Sequence, residues 1–338
     1  MEERNPGVFR ASCLYWLMAA GLWATSFLTT AFWWAFTGMN EITQSFCISS
    51  VYYALFCLIP VLFTGWGRPG MLRANPLSVA NTIRVCIMAL LTVMVAEYGV
   101  TLWSGVLQKF GLNVFAETSA TPGNRSELLI SLAEAAVIAP ICEEMMFRGA
   151  LLTAWEPRGS KKAIWVTAIL FAGLHGSLTG LPAHLFVGVL LATLVLYTDS
   201  LYAGLIFHTV YNAALTILNY TASSDAAEEA LMQADLFAAL GSANIITMLI
   251  EMAVFLLIIR ALVRQIGRGH SLRKMLKNHS GSGKPADTFE EFKQLLKQYS
   301  PLHAATDTRP LRISTIFVLM AGFASAVVFY IADVVAML

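Results

Sequence analysis

The chain has 338 residues, of which 57% are hydrophobic and 13% are charged, and its formal net charge is +1. This apolar share exceeds that of a soluble domain, so the composition predicts a membrane protein and leaves no room for a soluble catalytic domain. The near-neutral charge argues against a nucleic-acid partner, because no basic face exists beyond the loops that flank the apolar runs.

Apolar runs long enough to cross a bilayer recur along the whole chain. The sequence therefore predicts an all-α, polytopic transmembrane helical bundle of eight or nine spans in contact with membrane lipids. The spans lie near residues 11–36, 45–66, 82–107, 127–154, 162–179, 181–198, 200–220, 243–264 and 313–337. The first run is too long for a signal peptide and no small-residue cleavage site follows it, so we interpret it as a retained anchor.

Basic residues in the loops predict the orientation of this multi-pass protein. Arg4 and Arg10 precede the first span, and further arginines and lysines follow the second and fourth spans. Under a nine-span count these loops and the basic 265–312 segment lie on one side. The positive-inside rule therefore places the N-terminus and residues 265–312 in the cytoplasm.

The 265–312 segment is predicted to be a cytoplasmic loop that contains one amphipathic helix. A Ser-Gly linker at 280–283 precedes a capping box formed by Thr288 and Glu291, which opens a stripe of apolar residues. We expect this helix to lie along the membrane interface, with recruitment of a partner protein as the alternative.

The most informative motif lies in the fourth span, where Glu143, Glu144 and Arg148 interrupt an apolar run. An ionisable side chain inside a bilayer is costly unless it is paired or lines a wet cavity, so these residues indicate a functional site. Glu144 and Arg148 are four residues apart and can form an ion pair. Glu143 is rotated by about 100° around the helix axis from Glu144, so it is available for a different role. The alternative is a buried clasp that only locks helices together.

Two further pairs have helical spacing in later spans. Phe171 and His175 are four residues apart in the fifth span, as are His208 and Asn212 in the seventh. At 1.5 Å per residue, Glu143, His175 and Asn212 lie roughly 17–20 Å from the cytoplasmic ends of their helices, and His208 lies roughly 12 Å from it. Helices of alternating direction should thus bring these four side chains into one layer.

Such a layer contains the groups needed to hydrolyse an amide bond. A buried carboxylate beside an imidazole can activate a water, so Glu143 is the candidate base and His175 the group that orients the water or passes on its proton. His208 and Asn212 can donate hydrogen bonds to the oxyanion of a tetrahedral intermediate. The sequence has no HExxH zinc motif, no GxSxG turn and no pair of intramembrane aspartates.

In order and spacing, these three motifs resemble the signatures of the CPBP family, which includes type II CAAX prenyl proteases and bacteriocin-processing or immunity proteins. The resemblance covers about residues 127–220 and implies a catalytic all-helical core with the activity of a glutamic intramembrane endopeptidase. It implies that Glu143 and His175 bind the water, that His208 and Asn212 form the oxyanion hole, and that no metal or other cofactor is needed. It also makes Glu144 and Arg148 chiefly structural, with Phe171 supporting His175.

The segments outside this core carry no recognised signature. They comprise the N-terminal helices at 1–126, an acidic loop and helix at 221–264, the basic segment at 265–312 and the last helix at 313–338. The substrate is therefore predicted only as a membrane-associated peptide or protein.

Two other functions use the same residues. In the first, Glu143, His175 and His208 hold a zinc ion with a water as the fourth ligand, which is a normal catalytic set. In the second, the polar layer belongs to a non-enzymatic scaffold, an immunity protein or a proton-coupled transporter. Metal analysis separates the first from a metal-free protease, and loss of cleavage products in motif variants separates the second.

Several polar residues in the spans have simpler interpretations. Glu97, Glu134, Glu251 and Asp333 are expected to form hydrogen bonds between helices or to lie at span boundaries. Pro140 predicts a distortion of the fourth helix just before the two glutamates, because proline lacks the backbone N–H. His184 is expected to lie at the membrane interface.

Overall fold

The computed structural model describes residues 7–64, 72–112, 121–222, 236–279, 294 and 311–337. Within these ranges the chain forms nine long helices, and its one β contact is an isolated bridge between Ala74 and Ser200. The helices are α1 Gly7–Ala31, α2 Glu41–Phe63, α3 Val79–Lys109, α4 125–155, α5 Ser160–Leu174, α6 Leu181–Thr198, α7 Leu201–Ala222, α8 Leu236–His279 and α9 Ile313–Met337. The predicted all-α bundle is confirmed.

Seven of the described helices are long and apolar enough to cross a membrane. The other two are α4 and the 15-residue α5, and both lie where a span is predicted. The chain is thus a multi-pass integral membrane protein. Helix α8 continues past residue 264 to His279, so the first part of the basic segment is helical. The amphipathic helix expected from residue 288 and the acidic loop at 223–235 lie outside the described residues.

Polar side chains define where several helices begin. The side-chain oxygen of Asn40 accepts a hydrogen bond from the backbone N–H of Thr43, and Ser78 does the same for α3. Asn124 accepts from two backbone N–H groups at the start of α4. These caps satisfy donors that the first turn of a helix leaves without partners.

Small residues let the helices approach closely around a common core. A Cβ atom added to Gly188 of α6 would lie 3.0 Å from the Cα of Ala168 in α5, and one added to Gly322 of α9 would lie 3.1 Å from the Cα of Trp16 in α1. Close packing at small residues is the usual means of helix association in membranes. Helix α3 packs on α7 and α8, and α7 packs on α4 and α6, so α4 is held inside the bundle.

The loop before α3 is fastened to the ends of α4 and α6. Arg73 forms ion pairs with Glu156 and, at 3.3 Å, with Asp199, and its carbonyl accepts from the backbone N–H of Leu201. Leu72 lies over Gly149, where an added Cβ would come within 2.9 Å of its side chain. This loop therefore closes one end of the bundle beside α4.

Three wide π-helical turns interrupt the regular helices in the described part of the chain. They are Tyr53–Leu58 in α2, and Glu134–Ile138 and Met145–Leu151 in α4. Pro140 lies two residues after the π turn Glu134–Ile138 and cannot donate a backbone hydrogen bond. The distortion expected at this proline therefore takes the form of a π turn. Single π turns inside α-helices occur frequently at functional sites.

Candidate active site

The two glutamates lie in the short α-helical stretch Ala139–Glu144, between the two π turns of α4. The side chains of both are buried, with 7% of Glu143 and 0% of Glu144 exposed. A buried carboxylate requires hydrogen bonds or an opposite charge, so its contacts indicate what the site can do.

Glu144 forms the ion pair predicted from its spacing to Arg148. The Nη1 atom of Arg148 lies 2.8 Å from Oε1 of Glu144, and both side chains are buried. Nη2 of Arg148 also donates to the carbonyl of Gly188 at 3.3 Å, and the guanidinium lies 4.5 Å from the ring centroid of Phe171. The arginine is thus held by a carboxylate, a carbonyl and an aromatic face, as a charge in low dielectric requires.

Glu144 also contacts His208, which brings a third predicted residue into the cluster. Nδ1 of His208 lies 3.0 Å from Oε1 of Glu144. Gly204, one turn earlier on α7, makes this possible, because a Cβ atom there would lie 2.4 Å from Oε2 of Glu144. One carboxylate therefore joins Arg148 of its own helix to His208 of α7.

Glu143 faces the other side of the same imidazole. Its Oε2 atom lies 3.8 Å from Nε2 of His208, which is too long for a direct hydrogen bond but lets one water contact both atoms. Its Oε1 atom accepts a 2.5 Å hydrogen bond from the hydroxyl of Tyr53. Tyr53 begins the π turn of α2 and lies outside the three motifs. A tyrosine in an apolar span gives no periodic signal, so the sequence does not single out Tyr53.

His175 directly follows α5 and is fixed in one tautomer. Its Nδ1 atom lies 2.8 Å from the carbonyl oxygen of Phe171, which can only accept, so Nδ1 carries the hydrogen. In the neutral ring Nε2 then has a free lone pair. The Phe171 and His175 rings are in contact at 4.6 Å between centroids.

The ring of His184 stacks on that of His175, with centroids 3.9 Å apart and an interplanar angle of 27°. The structure thus places His184 against a predicted site residue. This contact arises because α5 ends at Leu174 and the short loop before α6 brings the first turn of α6 back to His175.

Asn212 is one turn beyond His208 on α7 and has a different partner. Its Nδ2 atom donates to the carbonyl of Ala135 at 2.7 Å, within the π turn Glu134–Ile138. A carboxamide has two N–H groups, so this bond leaves one donor available. In the recorded contacts His208 lies against both glutamates, while Asn212 lies against the backbone of the same helix.

The last helix holds the loop that follows His175. The side chain of Asp333 accepts from the backbone N–H of Leu178 at 2.5 Å, and Trp103 donates to the carbonyl of Leu178 at 2.9 Å. The Tyr330 hydroxyl donates to the carbonyl of Ala172. Glu134, which accepts from Ser45, and Glu251, which accepts from Tyr98, form the interhelical hydrogen bonds expected from the sequence, whereas Asp333 bonds to a loop.

We expect Asp333→Ala to loosen this loop, since the partly buried N–H of Leu178 loses its acceptor. The free energy of unfolding should fall by about 1–3 kcal/mol, the usual cost of leaving such a group without a partner. Thermal unfolding in detergent measures the effect, and Val335→Ala is the matched control because Val335 is 64% exposed on the same helix. Equal melting temperatures for the two variants would mean that the Asp333 contact does not hold the loop.

Among the described residues, no three His, Cys, Asp or Glu side chains are grouped so that they could hold a metal ion. A zinc ion bound by Glu143, His175 and His208 would therefore need at least one of these side chains to move. Nδ1 of His208 already lies against Glu144, so Nε2 is the nitrogen that such an ion would use.

Residues 125–214 match the family described as Type II CAAX prenyl endopeptidase Rce1-like. The matched stretch begins at the start of α4 and ends in α7 just after Asn212, so it contains all three motifs. This match confirms the family resemblance and indicates a CAAX-type intramembrane protease. No curated protein and no solved structure gives a significant match to the chain.

Proposed function

Since the family match falls on the helices that hold the buried cluster, we propose that the protein is an intramembrane glutamic endopeptidase. It hydrolyses a peptide bond in a membrane-embedded or lipidated substrate, using a water activated by Glu143. The observation that carries this proposal is the pair formed by Oε2 of Glu143 and Nε2 of His208, 3.8 Å apart and buried among apolar helices. One water can contact both atoms from the side of this pair.

In the proposed reaction Glu143 removes a proton from this water as its oxygen bonds to the carbonyl carbon of the substrate. Collapse of the tetrahedral intermediate breaks the C–N bond, and the leaving amine takes the proton from Glu143. His175 orients the water through the free lone pair on Nε2, which the contact with Phe171 makes available. The hydroxyl of Tyr53 fixes the other oxygen of the glutamate.

The oxyanion is stabilised by His208 and Asn212. The carboxylate of Glu144 holds the His208 ring at Nδ1, so Nε2 is the nitrogen that donates to the oxyanion. The second donor is the N–H of Asn212 that the Ala135 carbonyl leaves free. Preorganised donors of this kind supply a large part of catalysis in acyl transfer.

The orientation of the chain follows from its basic loops. We place the N-terminus and residues 265–312 on the cytoplasmic side, with lipids and a membrane-associated peptide or protein as the partners and no nucleic acid.

Comparison of membrane peptidomes tests the proposal directly. Cells that carry the wild-type chain should contain peptide fragments that disappear when it is replaced by Glu143→Ala. Glu251→Gln is the matched control, since Glu251 is bonded to Tyr98 and lies apart from the cluster. Identical peptidomes for the wild type and Glu143→Ala would instead favour a scaffold or a proton-coupled transporter.

Variants of Asn212 and His208 distinguish the metal-free mechanism from the zinc alternative. We expect Asn212→Ala to lower turnover about 10²–10³-fold with little change in substrate binding, because one oxyanion donor is lost. His208→Ala should act similarly, and the double variant should fall well short of the product of the two losses, because the groups act as a unit.

Elemental analysis of the same variants tests the zinc alternative by measuring their bound zinc. A zinc ligand at His208 would give stoichiometric zinc in the wild type, loss of zinc in His208→Ala and partial recovery of activity on addition of zinc. Zinc that is lost in His208→Ala and kept in Asn212→Ala would overturn the metal-free mechanism.

A further inference from the structure

Beyond the residues of the three motifs, a third histidine belongs to the site. Among the recorded ring pairs, the contact between His175 and His184 has the shortest centroid separation, 3.9 Å. The next shortest is the 4.6 Å contact between His175 and Phe171. The imidazole of His175 therefore lies between two rings, one from its own helix and one from α6.

The first turn of α6 is built around the ring of His184. A Cβ atom added to Gly180 would lie only 2.6 Å from Cε1 of His184, so a glycine is needed there for the ring to reach His175. The backbone N–H of His184 donates to the carbonyl of Gly180 at 2.9 Å. Ser177 accepts from the N–H of Gly180 at 3.0 Å and so fixes the turn that precedes it.

The contact between His184 and His175 is made by the ring faces. The Nδ1 atom of His184 is buried and makes no hydrogen bond in the described part of the chain. The ring therefore meets His175 through its face, at an interplanar angle of 27°, and not through Nδ1.

We propose that His184 is a positioning residue: its ring stacks on that of His175 and so aims the Nε2 atom of His175 at the water beside Glu143. Three contacts then fix the orientation of the His175 ring: the Phe171 carbonyl holds its Nδ1 atom, and the Phe171 and His184 rings pack against it. This inference rests on the proposed function, because it assigns the stack a role in water activation. The ring face of His184 carries that role, and its nitrogens do not touch the substrate.

Kinetics of His184→Ala and His184→Phe test the proposal. Loss of the stack should lower kcat by up to about 100-fold while KM stays unchanged, since a misplaced catalytic group affects the chemical step. His184→Phe keeps an aromatic face and should restore most of kcat. Should the alanine variant fold poorly, His184→Leu fills the volume without a ring. Trp34→Ala, which removes an exposed ring stacked on no site residue, should leave both constants unchanged.

Two kinetic outcomes would overturn the proposal. Wild-type kcat in His184→Ala would show that His175 needs no stack, and equal losses in the phenylalanine and alanine variants would show that a ring nitrogen is what matters. If the wild-type chain cleaves no peptide at all, the proposed function fails instead. The contact between the His184 and His175 rings is then tested by the rate at which diethyl pyrocarbonate modifies His175, measured by mass spectrometry. We expect faster modification in His184→Ala than in His184→Phe, and equal rates would refute the contact.

Discussion

Replacing Glu143 with glutamine is expected to cause a large loss of peptide cleavage, because the site loses its general base. The amide keeps the size of the side chain and can still accept from Tyr53, but it cannot take a proton from water. Loss of a general base typically lowers the rate about 10²–10⁴-fold. The rate of cleavage of an identified substrate in proteoliposomes measures the effect, and we expect Glu143→Ala and His175→Ala to be inactive as well.

Tyr53→Phe is the matched control for this prediction. It leaves the carboxylate in place and removes the 2.5 Å hydrogen bond to Oε1, so the loss of activity should be smaller than in Glu143→Gln. All four variants should insert and unfold like the wild type if the defect is chemical. Near-normal turnover of Glu143→Gln would eliminate the glutamate as the base.

The second large effect is expected on stability, from Arg148→Ala. Removal of the guanidinium leaves Glu144 as a buried carboxylate whose only other recorded partner is His208. Breaking a buried ion pair on one side costs roughly 3–5 kcal/mol. The yield of folded protein and the unfolding temperature in detergent should therefore both fall.

A second substitution separates the buried charge from the lost packing. The double variant Glu144→Gln with Arg148→Ala removes both charges and should recover part of the lost stability, whereas Arg148→Lys should recover less because it cannot reproduce the contacts of the guanidinium with Glu144, Gly188 and Phe171. An Arg148→Ala protein that is fully stable but inactive would contradict this account and give the arginine a direct part in the reaction.

The number and order of the helices could be predicted because each apolar run reports directly on burial in lipid. The boundary between α5 and α6 could not be predicted, because residues 162–179 form one continuous apolar run in the sequence. In the structure α5 ends at Leu174, and Gly176 adopts a positive φ of 64° that an α-helix cannot contain. Hydropathy is insensitive to such a break, because it is averaged over a window longer than the loop.

The motif residues could be predicted because charge inside a lipid-embedded helix needs a specific reason. The contacts among them could not. Periodicity places Glu144 and Arg148 on one face, but only the approach of α7 at Gly204 brings His208 to both glutamates. Tyr53 and His184 come from helices outside the three motifs, so no spacing rule within the sequence connects them to Glu143 or His175.

The wide turns of α4 have a consequence for comparing or redesigning such chains. A π turn contains one residue more than the α turn it replaces, so a relative without the Glu134–Ile138 turn should align with a single-residue gap at this point. Deleting one residue there would leave every motif side chain in the chain, yet it would rotate Arg125–Ala133 relative to the glutamates and withdraw the carbonyl that holds Asn212. In this helix, the count of residues before the motif matters as much as the motif itself.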